Sequence, residues 1–585
     1  MARDTHNIHV SEIPFESEDE YLSDDEEYRL PQRRDPLYIS ESESEVDTED
    51  EDEPSPDTSR PSQNKKKKYD WVPGCREFSE ENCTFLGDIS LTETIKQLDT
   101  PFEFFSYFFT QEMITFITAE SNRFANDNNK AANITDLDIQ QFLGVVIYMS
   151  VVHFPTVRHY WKRGMEFEPI VRTMNCNRFE EIKRFLHFVN NSTILPVGSP
   201  NCDKLAKIRP FLTMIRERLL TVPKEEYLAV DEQIIPTKTR KSSLKQYNPK
   251  KPNKWGYKVH VLSGVSGFSY DFDIYAGKQS DVIPENEKNL GTSSNVVLRL
   301  AQTVPENLNY KLFFDNWFTS VELMAHLDKK GILPLGTVRA NRLPGAKLTS
   351  KKEMTRKGRG ASEEIQTSLD DSTVTAVSWL DNKIVTLCST YVGVQPTTFV
   401  ERYDRKRKRY INVSCPKAVE LYNRHMGGVD TLDSMLGYYR IKIRSKKWYM
   451  RVFFHFVDLA CVNAWLLWRR KNPDTYIPLL DFKLLVADVL TQKGSQVYTP
   501  TTRGRPSNAN IEAPPPKKSR KRLIEELPSR EVAEDGYHHF PDWTEERQVC
   551  KNSGCKGKSF VWCLKCKVHL CINKTRNCFV EFHVE

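Results

Sequence analysis

Apolar residues recur every three to four positions in FEFFSYFFTQEMITFITAESN (102–122) and DLDIQQFLGVVIYMSVV (136–152), the spacing that gathers one helix face into a core. Asp136 and Asp138 stand where the second helix starts, as first-turn acids do. The same period returns in RFEEIKRFLHFV (178–189) and IRPFLTMIRERLL (208–220). At Glu226 the pattern changes to short runs rich in Val, Ile, Tyr and Phe: EYLAVDEQIIP, WGYKVHVLSGVSG and FSYDFDIYAG. Gly, Ser and Lys clusters separate them, which predicts three successive strands with hairpin-like turns. A helix in SSNVVLRLAQTV, a strand in YKLFFD, a helix in SVELMAHLDKKG and a strand in ILPLGTVRAN follow. This alternation predicts an α/β domain, a mixed sheet flanked by helices.

From Arg342 to about Ser414 the chain is irregular and basic with a β-like middle, TVTAVSWLDNKIVTLCS, and reads as an insertion. Pro416 opens a helix, a residue tolerated at the first helical position. The most apolar segment, Val452 to Trp468, is interrupted by His455, Asp458 and Asn463 and followed by Arg469, Arg470 and Lys471. That makes it a core helix and not a membrane span. A chain of 585 residues exceeds what one core usually organises, so several domains are expected. Its net charge of +5 hides a separation: residues 16–53 are dominated by Asp, Glu and Ser, and basic runs lie elsewhere. Residues 1 to about 70 offer too little apolar surface to offset chain ordering and are expected to be disordered. The N-terminus lacks the basic, then apolar, pattern of a secretory signal, which predicts an intracellular protein. Of 13 cysteines, seven are scattered singly and six crowd between Cys550 and Cys578. Inside a cell, such crowding points to metal before disulfides.

Three segments place a carboxylate beside an apolar run that would hold it rigidly. Asp231 follows the run Tyr227–Val230, Asp315 ends the strand in KLFFDNWFTS, and Asp430 and Asp433 sit three apart after the Gly427-Gly428 break, on one helical face. Taken singly, an Asp at a strand end is more often a cap or a solvated turn residue. Gathered in one place, the carboxylates would repel one another and raise each other's pKa. Hard divalent cations such as Mg²⁺ or Mn²⁺ remove that cost, and a pair of them suits phosphoryl transfer.

VDEQ, DNWFTS and GGVDTLD, in that order on those elements, resemble the catalytic segments of piggyBac transposases. KPNKWGYKVHVL (251–262), GTVRANR (336–342), YNRHMGGVDTLDSM (422–435) and RSKKWYMRVFFH (444–455) support the likeness, which spans roughly residues 95 to 500 and adds a C-terminal cysteine domain. The resemblance implies an RNase H-like catalytic core, an all-α dimerisation and DNA-binding domain, a β-rich insertion and a small zinc-binding C-terminal domain. The boundaries expected are an acidic disordered region 1–94, the helical domain in two parts (95–225 and 440–498), the catalytic domain in two parts (226–342 and 416–439), the insertion 343–415, a basic linker 499–545 and the zinc domain 546–585. It also implies that Asp231, Asp315 and Asp430 hold two divalent ions, with Asp433 at the family's further acidic position. All four positions are intact, which argues for an active enzyme over a domesticated one. The implied reaction is cut-and-paste transposition. Water attacks at the element end, the freed 3′-hydroxyl closes a hairpin that is then opened, and the liberated end attacks a TTAA target. A homodimer on terminal inverted repeats of double-stranded DNA, resident in the nucleus, goes with it. The alternatives are a domesticated nuclear DNA- or chromatin-binding protein without catalysis, and a regulatory scaffold acting through the acidic tail.

Basic residues interleave with aromatics at 240–258 and 438–451, a composition suited to phosphate neutralisation beside base stacking. Lys251, Lys254, Arg444 and Lys446 are the expected phosphate contacts, with a solvated charged face as the bland alternative. Arg503 and Arg505, in RGRP, resemble an AT-hook core that enters a narrow minor groove. Lys517, Lys518, Arg520, Lys521 and Arg522 read as a nuclear localisation signal. At the C-terminus, Cys550, Cys555, Cys563, Cys566, His569, Cys571, Cys578 and His583 provide thiolates and imidazoles in a density that selects Zn²⁺. Two tetrahedral sites use all eight, in a cross-brace like that of the family's cysteine-rich domain, with exposure to solvent as the alternative for His569. A protein-binding surface is the other use of a zinc module of this size.

Overall fold

The structure is a computed structural model and describes residues 68–196, 199, 202–239, 242–249, 251–277, 283, 287–405, 407–492, 533 and 539–584. The acidic stretch 16–53, Arg503, Arg505 and the basic run Lys517–Arg522 lie outside the described residues. The chain divides into two compact units, Met1–Tyr498 and Thr499–Glu585.

In the first unit, after the two-residue strand β1 (Val72–Pro73), helices α1 (Glu93–Lys96), α2 (Pro101–Phe108), α3 (Gln111–Asp127), α4 (Asp136–Val151), α5 (Glu168–Thr173), α6 (Cys176–Phe185) and α7 (Arg209–Leu220) precede the main sheet. Asp138 serves the start of α4: the Thr135 hydroxyl accepts from the Asp138 amide and the Asp138 carboxylate accepts from the Thr135 amide, which satisfies two otherwise orphaned donors. After the sheet come α8 (Thr292–Ala301), α9 (Val321–Lys329), α10 (Lys351–Lys357), α11 (Lys417–His425), α12 (Gly428–Tyr438), α13 (Trp448–Lys471) and α14 (Leu479–Gln492). Pro416 lies just outside α11, at its N-cap, and not at the first helical position.

The apolar helix α13 is buried from Tyr449 to Trp468 except at the half-buried Arg451. Phe453 meets Phe188, Phe211 and Phe109 at ring distances of 4.8, 5.2 and 6.3 Å, each fully buried ring contributing about 1.5–3 kcal/mol. Two of the three polar residues that interrupt α13 have hydrogen-bond partners, whereas the buried His455 Nε2 has none among the described residues. Asn463 exchanges two hydrogen bonds with the Ser269 backbone. Asp458 accepts from Lys483 Nζ at 2.9 Å and from the Ile441 amide at 2.8 Å, and Lys483 also donates to Tyr439 O. Asp458 and Lys483 are each 2% exposed. The pair thereby fixes the chain leaving α12. Asp458→Ala strands the lysine charge in the interior, so the chain should lose about 3–5 kcal/mol. Denaturant unfolding checks this, and Lys483→Met in the same chain should restore part of the loss.

The ten-stranded sheet runs β1-β8-β9-β10-β7-β6-β2-β4-β3, with β5 also on β4. Its strands are β2 (Tyr227–Pro236), β3 (Lys245–Tyr247), β4 (Trp255–Gly264), β5 (Ser269–Ile274), β6 (Tyr310–Phe314), β7 (Ile332–Thr337), β8 (Ser362–Leu369), β9 (Ser372–Leu380) and β10 (Ile384–Ser389). β2, β6 and β7 are parallel, β4 and β5 antiparallel, and α9 crosses from β6 to β7. Every residue of β6 is buried, so the strand is apolar except for Lys311, whose Nζ donates to Glu226 Oε1 at 2.5 Å, as a strand covered on both faces requires. Residues 343–415, expected as an insertion, add β8, β9 and β10 to this same sheet through antiparallel pairing of β10 with β7. They also carry a separate ribbon, β11 (Thr398–Asp404) with β12 (Arg409–Cys415).

In the second unit, β13 (Pro541–Val549) pairs with β14 (Lys558–Cys563), β15 (Ile572–Asn573) pairs with β16 (Arg576–Asn577), and α15 (Cys578–Val584) closes the described chain.

Candidate active site and metal centres

Parallel pairing of β2 with β6 sets Val230 opposite Phe314, so the residues that follow, Asp231 and Asp315, stand side by side where β6 ends. The backbone there is pinned: the Trp317 amide donates to Asp315 Oδ1 at 2.8 Å, and the Thr319 hydroxyl and Phe318 amide donate to the Asp315 carbonyl. Asp315 thus fills the turn role that its position predicts as well as lining the site.

The third carboxylate comes from α12, which begins only because two glycines let backbone meet backbone. A Cβ on Gly428 would lie 2.3 Å from the Gly264 carbonyl at the end of β4. Gly267, at φ +87°, has Met435 and Thr431 of α12 against it. This contact lays the first turn of α12 across β2 and β4, with Asp430 exposed in that turn and Asp433 one turn on. Gln233, two residues beyond Asp231 and so on the same strand face, donates Nε2 to Asp433 Oδ1 at 2.7 Å. Lys251, from the loop before β4, sets its Nζ 4.0 Å from Asp430 Oδ1. That loop is held in place by the Asn248 amide on Lys254 O at 2.7 Å and by Glu232, which takes Asn248 Nδ2 and pairs with Lys258 at 2.6 Å.

The electrostatics are those of gathered acids. Burial, then Asp315 and Asp430, push the Asp231 carboxyl up to about 7 against the pull of Lys251. Burial first, with Asp430 adding, pushes Asp433 up to about 6, though Lys251 and Gln233 oppose it. For Lys251 burial works against the charge, but Asp231, Asp430, Asp433 and Glu232 outweigh it and raise its pKa. The carboxylates do not approach one another as closely as the cysteine and histidine groups below, the described groups whose ligand atoms all lie within 4.8 Å. The donor set consists of hard oxygens, and the buried Gln233 Oε1 beside it has no hydrogen-bond partner among the described residues. Both features fit a hard divalent cation.

One expectation follows with its sign. The folded-state pKa of Asp231 lies above its ordinary value of 3.8, so its contribution favours the fold below about pH 4 and is lost as pH rises through 7; Asp433 acts in the same direction. With no magnesium added, Asp231→Asn should therefore stabilise the chain at pH 8, by on the order of 2 kcal/mol, and leave it little changed at pH 4. Urea unfolding at the two pH values is the check.

Of the expected phosphate contacts, Lys251 lies inside the carboxylate site and not along its rim, while Lys254, Arg444 and Lys446 are exposed. Lys447 beside them is structural, donating to the Arg184 and Leu186 carbonyls. Tyr247 and Trp255, about half exposed, sit 4.7 Å apart with Lys245 Nζ 4.6 Å above the tryptophan. Gln233 escaped the sequence reading, although its i+2 spacing from Asp231 was available as a signal.

In the second unit, two ligand groups form: Cys550, Cys555, Cys571 and Cys578, and His539, Cys563, Cys566 and His583. None of the cysteines is in a disulfide. Cys555 Sγ and Cys571 Sγ are 4.0 Å apart, close to the roughly 3.8 Å edge of a tetrahedron with ~2.3 Å zinc–sulfur bonds. His539 Nδ1 lies 3.4 Å from both Cys563 Sγ and Cys566 Sγ, and His583 Nε2 lies 3.4 Å from Cys566 Sγ. His583 Nδ1 is tied to the Phe579 carbonyl at 2.6 Å, which leaves Nε2 for a metal. Hydrogen bonding, chiefly from the Gly557 amide, lowers the Cys555 thiol to about 7. Here the sequence expectation is corrected. His569 is in neither group, its Nε2 lying 2.9 Å from the Thr544 hydroxyl while its backbone bridges Trp562. The vacated ligand position belongs to His539, so the ligand set reaches back beyond residue 546.

Two neighbouring carboxylates on parallel strands, with a third on a helix laid over them, are the arrangement a DDE-type transposase would use, and the chain is of that class. A family model described as Transposase IS4 matches residues 100–465, and the chain belongs to the piggyBac transposase and piggyBac-derived protein family within that class. It is 28% identical over 491 residues to the human PiggyBac transposable element-derived protein 3, covering 83% of this chain and 76% of that protein. To the human PiggyBac transposable element-derived protein 2 it is 29% identical over 414 residues, covering 70% of this chain and 67% of that one. Its fold is similar to that of a piggyBac transposase solved by cryo-electron microscopy as a synaptic complex with hairpin DNA, with a TM-score of 0.57 at 21% identity, covering 70% of this chain and 83% of the other.

Proposed function

We propose that this protein is a cut-and-paste DNA transposase that hydrolyses and rejoins phosphodiesters at the ends of a mobile element and integrates it at TTAA. The adjacency of Asp231 and Asp315 at the end of β6, under the first turn of α12, carries the reading. The strand order β5-β4-β2-β6-β7, with β2, β6 and β7 parallel, supports reading the core as RNase H-like. Asp231, Asp315 and Asp430 would hold two divalent ions, which supply Lewis-acid activation of the attacking and leaving oxygens. Around them Gln233 orients Asp433. Lys251 keeps its proton and balances the carboxylate charge, and it is placed to meet a phosphate oxygen. The tyrosine and tryptophan at Tyr247 and Trp255 offer rings on which an unpaired base can stack. Zinc in the two C-terminal ligand groups would fix the second unit, which serves recognition of terminal repeats. Two protomers act together on two ends, in the nucleus.

The test is excision from a donor plasmid carrying the DNA that flanks the coding sequence, in the presence of Mg²⁺. Excision that needs Asp231, Asp315 and Asp430 supports the reading. A second reading, a domesticated DNA-binding protein, draws on the names of the human relatives, which are element-derived proteins. Retained DNA binding with no cleavage by the unsubstituted chain would favour it.

A further inference from the structure

Among the described residues the ribbon β11–β12 pairs with no other strand, and its two ends differ in character. Its base is anchored: Val400 and Val413, opposite one another, are buried. The fully buried Trp379 of β9 donates Nε1 to the Ser414 carbonyl at 2.7 Å. Asp381 joins Arg402 at 3.0 Å to Arg359 at 2.5 Å. The far end is uncovered. Tyr403 and Tyr410 face each other across the strands with rings 5.3 Å apart and are 50% and 64% exposed; back at the base, Phe399, opposite Ser414, is 72% exposed. Around the turn, Arg405, Arg407, Lys408 and Arg409 are all exposed. Two acids share the ribbon: Asp404, 3.7 Å from Arg407, and the exposed Glu401.

Cations on an unpaired strand edge commonly guard against aggregation. That role accounts for one or two of them, and it is at odds with three exposed aromatic rings on the same short ribbon, which favour association. Dense positive charge beside exposed rings instead fits a polyanion with flat, stackable groups. From Tyr403 to the turn the ribbon reaches roughly 10 Å beyond its anchored base at about 3.3 Å per residue. A two-stranded ribbon is one of the shapes that the roughly 12 Å wide, 8.5 Å deep major groove admits.

We propose that the β11–β12 tip is a duplex DNA-binding element of this protein, with Arg405, Arg407, Lys408 and Arg409 on phosphates and Tyr403 and Tyr410 against the groove wall. This rests on the reading that the chain acts on DNA, and it assigns a contact surface separate from the carboxylate site. The experiment measures binding of the full chain to a mixed-sequence duplex over a series of salt concentrations. The variant R405Q/R407Q/K408Q/R409Q should bind at least about tenfold more weakly, with a salt slope shallower by roughly 2 to 4, since each phosphate contact contributes ~0.9. R405K/R407K/R409K should keep the slope, and Y403S/Y410S should weaken binding with the slope unchanged. Equal melting temperatures guard against a misfolded variant. Binding by the unsubstituted chain that the fourfold variant reproduces in affinity and slope would overturn the ribbon's role and leave the functional reading standing. No binding by the unsubstituted chain would overturn both. Should the fourfold variant lose binding only to a peptide of residues 40–53, the tip would be an acidic-protein contact and the proposal would fall.

Discussion

Replacing Asp231 with asparagine is expected to slow Mg²⁺-dependent strand cleavage by about a thousandfold or more while leaving the fold intact. Asparagine preserves the size of the side chain and its place on β2, so what is lost is one anionic hard oxygen next to Asp315. Stabilising charge that develops on a phosphoryl group through bound metal is worth several kcal/mol, and each 1.4 kcal/mol is tenfold in rate. Asp315→Asn should behave alike. Asp433→Asn should cost less, because one of its oxygens is already committed to Gln233. Asp231→Cys adds a control that a merely structural role would not pass: it should be inactive with Mg²⁺ and partly recover with Mn²⁺, which tolerates softer ligands better. Cleavage by Asp231→Asn at the unsubstituted rate would remove Asp231 from the chemistry. The same variant's expected stability gain at pH 8 separates loss of function from loss of fold.

How far the sequence reveals this site depends on the range of the interactions that build it. The apolar runs before Asp231 and Asp315 and the glycine break before Asp430 are local signals, and they place each carboxylate at the end of the right element. That β2 and β6 are parallel neighbours is a pairing across some eighty residues, with no local trace; it entered through resemblance to a known family. Gln233 and Lys251 were within reach in different degrees. Strand periodicity puts Gln233 on the face of Asp231, whereas Lys251 reaches Asp430 only because Glu232, Asn248 and Lys258 fold the intervening loop back over β2. The β-like run TVTAVSWLDNKIVTLCS announces β9 and β10, but nothing local in it says that β10 will find the free edge of β7. The β11–β12 ribbon shows the opposite failing. Its basic turn is conspicuous in the chain, but only the burial of its base and the exposure of its rings distinguish a projecting element from an ordinary charged loop.

Removing zinc is expected to unfold the second unit, and substituting His539 and His569 in turn should show which of them serves a metal site. The described segment around the ligand groups has few apolar side chains of its own. Val561, Val568, Leu570 and Phe579 are buried with the cysteines themselves, too little to offset the ordering of the segment. Structural zinc in small modules contributes roughly 10–16 kcal/mol of folding free energy near pH 7, so a strong chelator should expose all six C-terminal thiols to modification. The ligand groups interleave along the chain: His539 and His583 enclose Cys550, Cys555, Cys571 and Cys578, while Cys563 and Cys566 lie between the two halves of that set. Each site therefore ties segments that the other also ties, and losing one metal should loosen both. A reading limited to the crowded window after Cys550 takes His569 for the last ligand because His539 stands outside that window. The geometry separates them. His539→Ala should lower the bound zinc from two equivalents toward one and open Cys563 and Cys566 to thiol reagents. His569→Ala should keep two equivalents while losing the bond to Thr544. Two equivalents in His539→Ala together with one in His569→Ala would restore the ligand order that spacing alone predicts, and would mean that the pairing of β13 with β14 does not carry His539 to the metal.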